Sequence, residues 1–130
     1  MTAPLDRLRA ICLALPETAE KLAWGHPTFR VNDKIFATAS HEGPLAATFK
    51  APPGVQQMLV ETAPDRFFVP AYVGHKGWVS IWLNDETDWD EVAGLARRSY
   101  SLIAPKRLAA MADRPLSRGE SEGPSRKLGG

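Results

Sequence analysis

EKLAWGHPTFRVNDKIFATASHEGPLAATFK, residues 20–50, decides the fold. Lys21–Trp24, Thr28–Val31, Lys34–Ser40 and Leu45–Lys50 are short runs rich in aromatic, β-branched or small residues, with turn chemistry between them. Asn32-Asp33 is a compact hairpin turn, and His41-Glu42-Gly43-Pro44 is a longer polar one. Strands spaced this closely pair antiparallel, because a parallel return needs a crossover of a dozen or more residues.

Working outward, Pro4–Leu15 reads as a helix with Leu5, Leu8, Cys12 and Leu15 on one stripe, Thr2 as N-cap and Pro16 as its stop. Cys12 on that stripe is expected to be an inert core thiol. Downstream, a helix is expected from Pro52 or Pro53 to about Thr62, burying Val55, Met58 and Leu59. Arg66–Val73 is apolar but interrupted by Pro70, and its pattern does not choose between strand and loop. Trp78–Leu83 alternates: Val79, Ile81 and Leu83 take one face, Trp78, Ser80 and Trp82 the other. Asp88-Trp89-Asp90-Glu91 has capping-box spacing, and Trp89, Val92, Ala93, Ala96, Tyr100 and Ile103 then hold helical phase up to Pro105, with a short turn over Lys106–Met111. Runs of strands with helices segregated between them predict an α+β fold, an antiparallel sheet with helices packed on one face. Residues 1–112 are read as a single domain. From Asp113 on, Gly, Ser, Pro and charge displace apolar residues, which predicts a disordered tail over 113–130.

Composition narrows the function. Four of the 16 basic and three of the 15 acidic residues lie in the tail, leaving 12 of each in 1–112. A neutral domain lacks the bulk positive field of most nucleic-acid binders, so any nucleic-acid contact must use a local patch. A lone cysteine forms no disulfide within the chain and no Cys-rich zinc site, and no apolar run approaches the roughly 20 residues of a membrane span. A cytoplasmic protein without a membrane partner is expected. His26, His41 and His75 have no metal-ligand spacing, so no metal is expected. There is no Gly-x-Ser-x-Gly elbow, no P-loop and no Gly-x-Gly-x-x-Gly cradle, and neither catalysis nor a cofactor is expected.

Six short motifs occur in order: Leu15-Pro16-Glu17-Thr18, Trp24-Gly25-His26-Pro27-Thr28-Phe29-Arg30, Lys34-Ile35-Phe36-Ala37, Gly77-Trp78-Val79, Asp88-Trp89-Asp90-Glu91 and Arg98-Ser99-Tyr100. Together they resemble the MmcQ/YjbR family over about Leu5–Arg107. The resemblance implies a CyaY-like α/β sandwich, a double-wing arrangement similar to certain DNA-binding domains. It supplies no catalytic residues.

Two Gly-His turns concentrate the chemistry. In the first, Trp24, Gly25, His26 and Pro27 form the family's corner, with His26 expected to hold the turn through backbone bonds. In the second, Gly74-His75-Lys76-Gly77 places a cation at a glycine-flanked tip, suited to a phosphate. The leading expectation is DNA binding through Arg30, Lys50, His75, Lys76, Trp78, Arg97, Arg98, Lys106 and Arg107, with tryptophans for stacking. The alternative is a protein-interaction or small-ligand module with an apolar groove floored by Trp24, Phe29, Trp78 and Trp82. A third reading, catalysis at His26, requires a pocket with a carboxylate beside the ring.

Overall fold

The structure, a computed structural model, describes residues 3–40, 43–71 and 73–112. The expected Thr2 cap, the His41-Glu42 half of the long turn and the 113–130 tail lie outside the described residues. Chain order is α1 (Pro4–Leu13), β1 (Thr18–Ala23), β2 (His26–Val31), β3 (Lys34–Ser40), β4 (Ala46–Lys50), α2 (Val55–Thr62), β5 (Phe67–Phe68), a 3-10 turn (Gly74–Lys76), β6 (Trp78–Trp82), α3 (Trp89–Ile103) and α4 (Lys106–Ala112). The strands form one antiparallel sheet in the order β1-β2-β3-β4-β6-β5. The α+β architecture is thus as the sequence predicts, with helices packed against the sheet.

Both tight hairpins turn on residues with positive φ. Asn32 and Asp33 sit at φ 52° and 63°, and Trp24 and Gly25 at 52° and 80°, the left-handed pair that matches the twist of the flanking strands. The first turn is therefore Trp24-Gly25 alone, and His26 and Pro27 already belong to β2, where they pair with Ala23 and Leu22. Pairing of β2 with β3 registers from Thr28 onward. Pro27 has no N–H to donate to that ladder, which accounts for its late start.

The sheet's helix-facing side holds the core. Phe29, Val31, Phe36, Ala37, Phe49 and Val79 are fully or almost fully buried, as are Val92, Ala96 and Tyr100 of α3 and Leu8 and Cys12 of α1. A bulge makes this packing possible. Phe29 pairs with Ala37 but Arg30 pairs with Ile35, so Phe36 is an extra residue in β3. It joins Ala37 on the core side and meets Tyr100 edge-on, ring centroids 5.5 Å apart. Tyr100 in turn donates its hydroxyl to the Pro16 carbonyl at 2.6 Å, tying α3 to the α1–β1 connection.

Four local expectations need correction. Helix α1 stops at Leu13, short of Leu15, because the residue before a proline is driven out of the helical region and Thr18 Oγ1 donates to the Cys12 and Leu15 carbonyls at 3.0 Å. Helix α2 begins at Val55, after Gly54 at φ 84°, so the two prolines belong to the turn before it. Met58 in it is 53 % exposed, since the short helix turns only Val55, Leu59 and Val60 toward the core. Asp88 caps α3, accepting from the Asp90 and Glu91 amides at 3.0 and 3.3 Å. The capping box is only half formed, because the Glu91 carboxylate is held by Arg66 at 3.2 and 3.1 Å.

Cys12 sits fully inside this core. Burial, and secondarily the charge of Glu20, pushes its thiol up to about 12. The native protein should therefore resist thiol alkylation at pH 8, and labelling should proceed only through global opening. The unfolded thiol ionises near its ordinary value of about 8.5 while the folded one stays neutral. This contribution to stability is thus fully present below about pH 8.5 and is lost as pH rises toward 12. Alkylation kinetics followed by mass spectrometry against pH, with urea as the unfolding control, check both statements. Rapid labelling of native protein would contradict them.

Candidate functional site: a trough on the open sheet face

Strand alternation sends every second side chain to the face opposite the helices, and the register lines these side chains up in rows across the sheet. The middle row runs Lys21, Thr28, Thr38, Thr48, Ser80, Phe68 from β1 to β5. One step along the strands is a row of Ala23, His26, Ser40, Ala46 and Trp82. One step the other way lie Arg30 and Ile35, paired with each other, and Lys50 and Trp78, likewise paired.

Apart from Lys21, the first two rows floor a trough of about 800 Å³. Trp24 and His26 close its β1–β2 end, Gly43 and Pro44 rise along one side, and Pro70, Ala71 and Val73 form another wall. Phe68 stacks on Trp82 with centroids 4.2 Å apart and planes at 25°, giving a flat aromatic surface in the trough. The hydroxyls beneath are engaged. Thr48 Oγ1 and Ser80 Oγ are 2.7 Å apart. Thr28 Oγ1 donates to the Lys21 carbonyl at 2.7 Å and accepts from Arg30 Nε at 3.1 Å. The lining therefore combines apolar walls with a few placed polar atoms, at a volume within the ordinary range for small-molecule sites.

Gly74 lies close against Val69 beside this wall: a Cβ on Gly74 would clash with Val69 Cγ1, so any larger residue there must shift the Val69 side chain. Gln56 pins the same corner, donating to the Gly74 and Trp78 carbonyls at 2.7 and 2.6 Å.

The structure sorts the sequence candidates onto two sides of the sheet. Arg30, Lys50 and Trp78 share one row of the open face. His75 and Lys76 are exposed on the 3-10 turn just before Trp78, at the end where Ala51 N donates to Gly77 O at 3.3 Å. Arg97 and Arg98 instead lie exposed on α3, lining a separate pocket of about 490 Å³ with Leu59 and Phe67. Lys106 and Arg107 are on α4, where Arg107 pairs with Glu17 at 3.2 Å. One continuous patch of all nine is not formed.

Of the expected aromatic groove, Trp24 and Trp82 line the trough and Trp78 lies one row beyond. Phe29 does not take part: odd positions of β2 face the helices, and its ring is fully buried in the core. Trp78 and Trp82 are both half-buried, on the side away from α3. His26 faces the trough from β2, so its place is in a strand rather than at the corner. No carboxylate lines the trough among the described residues. Nor, among them, do three His, Cys, Asp or Glu side chains converge to hold a metal ion, and none of their helices is long and apolar enough to cross a membrane. Sequence reasoning missed Phe68, Pro44, Pro70 and the row of Thr28, Thr38, Thr48 and Ser80. The small hydroxyl residues do sit at alternate strand positions, but only the register shows them to be neighbours.

Comparisons with known proteins place this architecture. A crystal structure of the Deinococcus radiodurans protein DR2400, carrying a DUF419 domain, superposes with a TM-score of 0.71 at 22 % identity, covering 97 % of this chain and 99 % of that one. At that identity the likeness concerns the fold. No curated protein matches. The YjbR family model matches residues 13–102, a span running from the end of α1 to the last turn of α3 and so enclosing the whole sheet; the chain belongs to the YjbR family.

Proposed function

We propose that this protein is a non-catalytic cytoplasmic binding module, and that its ligand is a small, largely apolar molecule held in the trough on the open face of the sheet. The observation that carries this reading is the stacked Phe68–Trp82 pair set in an 800 Å³ apolar concavity over paired hydroxyls. A soluble domain gains nothing in stability by leaving such a surface uncovered, and concave aromatic surfaces with a few fixed polar groups are typical ligand sites. Trp24 adds support: it is 87 % exposed at the trough's end and held at φ 52°, a backbone region that bulky side chains rarely occupy.

The test is NMR chemical-shift mapping with neutral aromatic and aliphatic compounds. Shifts should cluster on Thr38, Thr48, Ser80 and Trp82, and Trp82→Ala should weaken binding by tenfold or more while leaving the thermal midpoint within a few degrees. Shifts confined to the helix layer, or no binding at all, would overturn the reading.

A second reading rests on a different observation. Arg30, Lys50 and Trp78 form a cationic and aromatic row on the same face, next to the exposed His75 and Lys76, and such a row suits single-stranded nucleic acid. It requires that binding of a mixed-sequence oligonucleotide fall steeply with salt and be weakened by Lys76→Ala. Absence of binding at low salt ends that reading.

A further inference from the structure

Along β4 and its partner β6 the open face changes in polarity, and the change specifies the ligand more closely. Ala46 and Trp82 are apolar, Thr48 and Ser80 carry hydroxyls, and just beyond the trough lining Lys50 carries a cation, as does Arg30 one step past Thr28 on β2; the imidazole of His26 and the Ser40 hydroxyl lie at the Ala46 end, toward β1. From Ala46 to Lys50 along β4 is four residues, about 13 Å of extended chain. Arg30 is tethered to the trough itself, because its Nε donates at 3.1 Å to the hydroxyl of Thr28, a trough-lining residue. Asp33, with which it pairs, stands 3.8 Å away and accepts a closer bond from Lys21 at 2.9 Å. Lys50 makes no ion pair among the described residues.

We infer that the trough takes an amphipathic anion: an apolar chain or ring lies over Trp82 and Phe68, and a single carboxylate or comparable anionic head reaches the Arg30–Lys50 end. This rests on the trough being the ligand site. Charge-assisted hydrogen bonds to a cation are roughly twice as strong as neutral ones. A neutral molecule of the same length leaves both cations unused.

The experiment compares two probes that differ only in the head group, decanoate and 1-decanol, by tryptophan fluorescence titration of the full chain. Decanoate should bind about tenfold tighter than decanol. Lys50→Met, which keeps the apolar stem, should remove most of that preference while leaving decanol affinity unchanged. Trp82→Ala should weaken both probes alike. Raising the salt concentration should shrink the acid's advantage and leave the alcohol untouched, which checks the charge term in wild-type protein without any substitution. If acid and alcohol bind equally well to wild type, the anionic assignment is wrong and the trough reading stands. If neither binds, the trough reading fails and this inference with it.

Discussion

Replacing Phe29 by Ala should destabilise the protein by about 3–5 kcal/mol, because a fully buried ring is removed from the core. For a domain of this size that is a fall in thermal midpoint of about 12–20 °C. Trp24→Ala, five residues earlier in the same hairpin, should change stability by no more than about 0.5 kcal/mol, since its ring is 87 % exposed. The two aromatics belong to one segment and to opposite faces of one sheet. Differential scanning calorimetry of both variants, with ligand titration alongside, separates them: Phe29→Ala loses stability, and Trp24→Ala loses only affinity for apolar ligands. Comparable thermal shifts for the two would mean that Trp24 folds onto the protein in solution and that the trough's end wall is part of the core.

Much of the fold was legible because it is written in local terms. The Asn32-Asp33 turn, the alternation of Trp78–Leu83 and the Asp88 cap each involve residues near in sequence, and turn chemistry, strand parity and capping act at that range. The inner edge of the trough was half legible for the same reason, as Trp82 and Ser80 were already assigned to the face opposite Val79. The rest depends on long-range register. Nothing in Lys34–Ser40 by itself marks Phe36 as a bulge residue, and without the bulge Phe36 would be read onto the same face as Thr38. Phe29 was misassigned to the groove because an aromatic in a chemically dense turn looks functional until parity relative to Thr28 is fixed by β3. The wall of Pro70, Ala71 and Val73 was not legible at all: beside it Gly74 meets Val69 and Gln56 reaches two carbonyls from α2, contacts that no local pattern marks.

Ser99 is where the helix layer and the sheet are mechanically joined, and Ser99→Ala should cost about 2–4 kcal/mol despite removing a single oxygen atom. The residue is fully buried. Its hydroxyl donates to the Phe36 carbonyl at 2.6 Å and accepts from the Lys50 amide at 3.0 Å, bridging β3 and β4 from α3. Phe36 is the bulge residue without a counterpart on β2, and Lys50 is the last residue of its strand, so each has a main-chain group that the regular ladder is ill placed to satisfy. Without the hydroxyl, the buried Phe36 carbonyl and the part-buried Lys50 amide lose their partner at about 1–3 kcal/mol apiece. The better helix propensity of Ala returns only about half a kcal/mol. Hydrogen exchange at the Lys50 amide gives the specific readout, since protection there should fall by more than at Phe49 or Val79. Ser99→Thr, which retains a hydroxyl, should recover part of the protection where Ala recovers none. A Lys50 amide equally protected in the Ala variant would show that the end of β4 is held by the sheet alone. If instead protection is lost, the position of the Lys50 side chain on the opposite face is set from the core side, and binding of an anionic ligand should weaken in Ser99→Ala even at temperatures where the domain remains folded.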